Sequence, residues 1–264
     1  MSGTVFFLHG AWMTPLCWEP FAGFFERRGW RTLAPAWPYH DRPVAEQRRA
    51  PAPELARLGA AEILDHYERL IRAMPEPPFL VGHSFGGLWV QLLLGRGVGR
   101  AGVAIDSAPP RGVLPLQWSA LRSTGPALLT LAPRSTVSLT LEQFRYAFVH
   151  TLPDAAVRAA WERHVVPETR RIIFQAAAAP LDPVSPLRVN FAKADRAPLL
   201  LVAGADDHIV PAAQNRSNYA KYRFSPARTG FKEFPGRTHW IIAQDGWEEV
   251  AGYVADWLEG TGAG

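Results

Sequence analysis

The chain has 264 residues, 48% of them hydrophobic, enough to bury one large core in a single domain. Its net charge of +4 comes from 28 basic residues, nearly all arginine, against 24 acidic ones; they are scattered in nothing longer than pairs such as Arg27-Arg28, which excludes the clustered basic face of a nucleic-acid binder. A single cysteine, Cys17, excludes an internal disulfide, and neither a secretory leader nor a run approaching the roughly 18 apolar residues of a membrane span is evident, so a cytoplasmic location is expected.

Thr4–Leu8 reads as a buried strand that runs directly into His9-Gly10-Ala11-Trp12. A His-Gly turn after such a strand can aim a backbone N–H, here that of Ala11, at a point where negative charge develops. A helix is expected over 17–28, a strand over 31–34 and a helix over 54–73. The loops after the first two strands carry Trp12, Met13, Trp37 and Tyr39. Loops at the carboxyl ends of parallel strands surround the site in open α/β sheets, so these four are candidate substrate contacts.

The next strand, 79–82, ends in Gly82-His83-Ser84-Phe85-Gly86-Gly87, and a helix over 84–95 follows. This is Gly-x-Ser-x-Gly in a strand–turn–helix context, where a tight turn lifts the serine hydroxyl clear of the sheet. Gly82 and Gly86 are where a Cβ would collide with a neighbouring element. The Phe85 N–H, at the helix start, is the second candidate oxyanion donor.

A strand over 101–105 ends at Asp106, and more than ninety residues without a strong strand signal separate it from a strand over 198–203. Helical stretches lie near 115–122, 140–150 and 153–164, between the proline-rich ends Pro109-Pro110 and Pro180–Pro186. This segment carries Trp118, Leu121, Phe144, Tyr146, Phe148 and Trp161, most of which should glue it to itself or to the core. Asp206 and Asp207 follow the 198–203 strand, and a helix over 212–222 comes next. The last strand, 229–234, leads through Pro235-Gly236 to His239, ahead of a helix over 247–258 that Asp245 can cap with Glu248 in capping-box position. Of eight histidines, His239 is the best placed as a base. His83 and His208 read as structural, and His40, His66, His150 and His164 as surface or lid residues.

In order, His9-Gly10-Ala11-Trp12, Gly82-His83-Ser84-Phe85-Gly86-Gly87, Gly204-Ala205-Asp206-Asp207-His208-Ile209-Val210-Pro211 and Gly236-Arg237-Thr238-His239 resemble the α/β-hydrolases of the serine-esterase type. The resemblance spans Thr4 to about Leu258 and implies a parallel sheet of about six strands flanked by helices, lacking the family's first two antiparallel strands. It implies a core of 1–110 and 187–264 with a helical lid over 111–186. It also implies a triad of Ser84, Asp207 and His239, because the family places its acid three residues after the glycine and four before the proline. Asp106 and Asp206 remain alternatives for the acid. The implied reaction is cleavage of a small to medium, largely apolar ester or lactone through an acyl-enzyme. A serine at 84 argues against epoxide hydrolase or dehalogenase chemistry, which uses an aspartate there. Two rival readings are a non-hydrolytic enzyme on the same fold (a cofactor-free oxygenase, perhydrolase or lyase) and a ligand-binding receptor with a vestigial triad. No metal-ligand spacing, phosphate-binding glycine loop or dinucleotide fingerprint occurs. The expected partner is a small-molecule substrate, with no cofactor, no metal, no nucleic acid and no membrane.

Overall fold

Six strands pair into one wholly parallel sheet. The computed structural model describes residues 3–114, 117–128, 132 and 134–261. The strands are β1 (Thr4–Leu8), β2 (Arg31–Leu33), β3 (Phe79–His83), β4 (Ala101–Ile105), β7 (Leu199–Gly204) and β8 (Thr229–Phe234), in the order β2-β1-β3-β4-β7-β8. β3, β4 and β7 are buried along their whole length, which is why they read as continuous apolar runs without alternation. Each fully buried Leu, Val or Phe in them contributes about 1.5–3 kcal/mol of transfer free energy. The edge strands β2 and β8 are only partly buried.

The register runs Leu8, Gly82, Ala104, Leu201, Phe231 across five strands, so the residues that follow β1, β3, β4, β7 and β8 gather along one edge. The chain passes from β1 outward to β2, then returns to the other side of β1 as β3. The loops after β1 and β3 therefore diverge in opposite directions and leave a crevice, the place where open α/β sheets bind ligands.

The helices are α1 (Glu19–Arg27), α2 (Val44–Arg49), α3 (Ala60–Arg72), α4 (Phe85–Gly95), α9 (Ala212–Lys221) and α10 (Trp247–Glu259) around the sheet. α4 is buried on every face from Phe85 to Leu94, so it lacks the polar stripe of a surface helix. Between β4 and β7 lie α5 (Trp118–Leu128), β5 (Thr136–Val137), α6 (Leu141–Phe148), α7 (Asp154–His164), β6 (Glu168–Thr169) and α8 (Arg170–Ala178). The two ends of this segment meet where the Arg111 N–H donates to the Leu187 carbonyl (2.9 Å). Among the described residues no helix is long and apolar enough to cross a membrane.

Several sequence expectations differ in detail. The inserted segment carries a small antiparallel pair, β5 with β6, that two-residue strands are too short to announce. The helix expected over 54–73 breaks into a 3-10 turn (Pro53–Arg57) and α3. At the break Gly59 is extended, and a Cβ there would lie 2.7 Å from the Arg171 guanidinium. Asp245 does not cap α10: the N-cap is Gly246, at φ 80°, with no side-chain cap bond. Arg237 occupies that corner instead, donating to the Asp245 carbonyl and pairing with Glu249 (2.9 Å).

Candidate active site

β3 delivers the serine. Ser84 sits between β3 and α4 at φ 57° and ψ −122°, a region L-residues avoid. Strain of this kind persists only where the surroundings over-determine it. Here the Ser84 N–H donates to the Ile105 carbonyl (2.9 Å), and the Ser84 carbonyl accepts from the N–H groups of Ala108 (2.9 Å) and Gly87 (3.0 Å). Glycines make the turn possible. A Cβ on Gly86 would lie 1.9 Å from the Leu8 carbonyl oxygen, and one on Gly82 would lie 2.1 Å from the Gly86 carbonyl oxygen. A Cβ on Gly10 would lie 2.7 Å from the Ser84 Cβ, so the His-Gly turn passes directly against the serine.

The loops after β7 and β8 bring the other two residues. His239 Nδ1 donates to Asp207 Oδ2 (2.5 Å), and both side chains are fully buried. Asp207 Oδ1 accepts from the N–H groups of Ile209 (2.7 Å) and Val210 (2.8 Å), which fixes the carboxylate at both oxygens. The His239 loop is drawn to the end of β3 by His83, whose Nε2 donates to the His239 carbonyl (2.8 Å). His239 Nε2 is buried and has no hydrogen-bond partner among the described residues, leaving it available as an acceptor.

The three candidate acids occupy different environments. Asp206 is exposed, and its N–H donates to the Arg237 carbonyl (2.9 Å). Asp106 is fully buried at φ 42°, accepts the Gly204 N–H on Oδ1 (2.7 Å), and has no partner for Oδ2 among the described residues. Burial, reinforced by the charge of Asp207, pushes the Asp106 carboxyl well above the usual carboxylate range. Of the three, Asp207 is the one that hydrogen-bonds His239.

The candidate oxyanion donors flank the serine. Among the described residues neither the Ala11 nor the Phe85 N–H donates to another protein group. The next N–H in the loop is engaged: Trp12 donates its backbone N–H to Glu168 Oε2 (3.3 Å) and its indole N–H to the Val137 carbonyl (3.1 Å). Its carbonyl accepts the Val166 N–H (2.9 Å), and its φ is 63°. Three residues of the inserted segment thus grip one residue of this loop. Glu168 is fully buried, 3.6 Å from the equally buried His40. His40 is therefore an interior residue and does not belong to the surface or lid, as its sequence position suggested.

Ser84, Phe85 and Trp12 line a cavity of about 240 Å³ together with Leu121 and Thr124 of α5, Ile173 of α8, and Ile209, Val210 and Gln214 of the β7–α9 region. Met13, Trp37 and Tyr39 lie outside it. Met13 and Trp37 are core residues, and Trp37 stacks on His9 (5.0 Å between centroids) while its N–H donates to His9 Nε2 (3.1 Å). His9 is buried and its pKa is pushed down to about 3, first by burial and then by His40, so it stays neutral. Tyr39 instead lines a polar surface groove with Asp41, Arg57 and Glu62; that groove is larger, about 850 Å³, but contains none of Ser84, Asp207 or His239. Of the bulky apolar residues noted in the inserted segment, Phe148 packs edge-on against His239 (4.7 Å between centroids) and Tyr146 lies tilted against His208 (4.8 Å), while Trp118 is exposed. Leu121 is the one member of that group on the cavity wall.

His83, Asp106 and His239 are the one cluster of metal-ligating side chains among the described residues, with ligand atoms within 4.8 Å of one another. Two of them are already committed, His83 Nε2 to a carbonyl and His239 Nδ1 to Asp207. Burial, with His239 close by, pushes the His83 pKa well below its ordinary value, so it serves as a neutral donor to the base loop. Cys17 is fully buried and burial pushes its thiol up, away from nucleophilic use.

A family model described as "Alpha/beta hydrolase family" matches residues 5–252. The chain belongs to the alpha/beta hydrolase family. No curated protein matches this hydrolase in sequence. Among solved structures it is similar to the monoacylglycerol lipase of Paleococcus ferrophilus, at 19% identity and TM-score 0.68, over 98% of this chain and 95% of that one. It is similar to a pyrethroid hydrolase from Sphingobium faniae JZ-2, at 18% identity and TM-score 0.67, over 98% of both chains. A variant of tomato methylketone synthase I complexed with beta-ketoheptanoate aligns at 12% identity and TM-score 0.68, over 99% of this chain and 98% of that one. Identities this low establish a shared fold and leave each relative's substrate its own.

Proposed function

We propose that this alpha/beta hydrolase is a serine esterase acting on a small to medium, largely apolar carboxylic ester or lactone. The observation that carries the reading is the buried 2.5 Å contact between His239 Nδ1 and Asp207. The strained turn at Ser84, which opens on an apolar cavity, supports it. Ser84 Oγ attacks the carbonyl carbon and its proton passes to His239 Nε2. Asp207 holds the imidazole with Nδ1 protonated and stabilises the imidazolium. The tetrahedral oxyanion is received by the N–H groups of Ala11 and Phe85. Collapse expels the alcohol, which takes the proton from His239. Water, deprotonated by the same nitrogen, then attacks the acyl-enzyme, and His239 returns the proton to Ser84 Oγ as the acid is released. The cavity, about 240 Å³, lies below the roughly 300–1,000 Å³ that accommodates drug-sized ligands, which favours a compact acyl group.

A fluorophosphonate probe read by intact mass tests the serine. Wild type should gain one adduct and Ser84→Ala none, and the variant's kcat on a p-nitrophenyl ester should fall by about 10⁴-fold or more. Activity in Ser84→Ala within tenfold of wild type would overturn the mechanism. Labelling without turnover of any ester in a chain-length panel would favour non-hydrolytic chemistry at the same serine.

A further inference from the structure

Glu168 is fully buried, and a carboxyl group so placed costs folding free energy that its partners must offset. Its Oε1 accepts the N–H of the adjacent Thr169 (2.7 Å). Its Oε2 reaches out of the inserted segment to the Trp12 N–H (3.3 Å). His40, equally buried, lies 3.6 Å from Oε1. The support beneath Glu168 is fixed. Thr169 Oγ1 donates to the Leu58 carbonyl (2.9 Å) and accepts the Arg171 N–H (3.2 Å), and the Arg171 guanidinium pairs with Glu62 of α3 (2.6 Å).

Two peptide groups flank Ala11, and each is held by a buried side chain. His9 Nε2 accepts the Trp37 N–H, so Nδ1 carries the ring proton and donates to the Gly10 carbonyl (2.9 Å). The Gly10–Ala11 peptide is planar and trans, so a carbonyl turned to His9 turns the Ala11 N–H the opposite way. The Ala11–Trp12 peptide is held by Glu168 through its N–H. Trp12 sits at φ 63°, a region a bulky L-residue leaves when nothing holds it there. We propose that Glu168 is a positioning residue for the reaction at Ser84: it fixes the plane of the Ala11–Trp12 peptide and thereby aims the neighbouring Ala11 N–H at the developing oxyanion. Glu168 touches no reacting atom. Its contribution lies in the transition state, where charge reaches the oxygen, and not in holding the ester. Losing one oxyanion donor outright costs about 10²- to 10³-fold in kcat, so misaiming one should cost about 10- to 100-fold.

The inference rests on the ester-hydrolysis reading, and one experiment separates the two. Glu168→Gln keeps the volume but offers one oxygen to two N–H groups. The nearer Thr169 N–H retains it, and the introduced NH₂ faces the Trp12 N–H. Glu168→Asp keeps the charge and withdraws both oxygens by one methylene. Wild type and both variants are labelled to completion with a fluorophosphonate, and kcat on a p-nitrophenyl ester is expressed per labelled site. Each variant should lose about 10- to 100-fold per site. An alkyl trifluoromethyl ketone, which forms an oxyanion on Ser84, should bind more weakly by the same factor as kcat/KM falls. The methyl ketone of the same chain, which stays trigonal, should keep its Ki within about threefold. A merely structural residue would lower the number of labelled sites and leave the turnover of each unchanged. A kcat per site within about threefold of wild type in both variants would overturn the assignment. So would equal weakening of the two ketones, or failure of both variants to give any labelled protein, which would make Glu168 a folding residue. No ester turnover and no labelling in wild type would sink the ester reading itself, and this inference with it.

Discussion

Asp207→Asn is the most informative single substitution. Asp207 Oδ1 is held by two backbone N–H groups, at 2.7 Å from Ile209 and 2.8 Å from Val210. Those donors demand an acceptor, so the introduced amide must keep its oxygen there and turn its NH₂ toward His239. His239 Nδ1 then has to accept, which moves the ring proton to Nε2, the atom that must take the serine proton. The wrong tautomer and the lost counter-charge together should lower kcat by on the order of 10²- to 10⁴-fold with the fold intact. Asp206→Asn changes an exposed turn residue and should cost no more than about tenfold. Asp106→Asn replaces a carboxyl that makes no hydrogen bond to His239, and the amide oxygen keeps the Gly204 N–H bond, so it too should stay within about tenfold. The three variants are compared on one p-nitrophenyl ester after circular dichroism matches their spectra to wild type. A crippled Asp106→Asn beside an active Asp207→Asn would refute the reasoning and move the acid to the end of β4.

Gly86→Ala should destabilise the protein by about 1–3 kcal/mol or more in urea unfolding, because the new Cβ would sit 1.9 Å from the backbone oxygen of Leu8; a loss well below about 1 kcal/mol would mean that the turn has more room than described. His9 makes stability acid-sensitive with a definite sign. Its folded pKa of about 3 lies below the unfolded value of 6.5, so the unfolded chain binds the extra proton and stability falls as pH drops from 6.5 toward 3. Urea midpoints at several pH values should show a shallower fall in His9→Gln, by up to about 1.4 kcal/mol per pH unit, and parallel curves would show that His9 is protonated in the native state.

The parts of the fold that sequence reasoning reached are those where one local rule suffices. β1, β3, β4 and β7 are largely apolar because both faces are covered, and Ser84 is framed by glycines that a close backbone approach requires. The preference for Asp207 over Asp206 came from a family spacing, and the burial of one beside the exposure of the other accords with it. What was missed depends on distant partners. Glu168 meets Trp12 across 156 positions, and a lone glutamate in a two-residue strand carries no local signal. Met13 and Trp37 were placed near the site because their loops are there, but a loop at the sheet edge has two sides, and theirs faces the core. Asp245 had the right spacing for a cap, and Gly246 at φ 80° supplied a different helix entrance.

The threefold grip on Trp12 has an evolutionary and engineering corollary. The backbone N–H, backbone carbonyl and indole N–H of this residue are bound by Glu168, Val166 and Val137, all from the segment between β4 and β7. That segment cannot be treated as an interchangeable module. Grafting the corresponding insertion from a relative would remove all three anchors at once and release a residue held at φ 63°, one position after Ala11. Exchanges meant to retune what the cavity accepts would therefore disturb the chemistry as well, unless Trp12 and the β5–β6 pair travel together. In this chain the segment that walls the cavity and the loop proposed to stabilise the transition state have to drift as one unit.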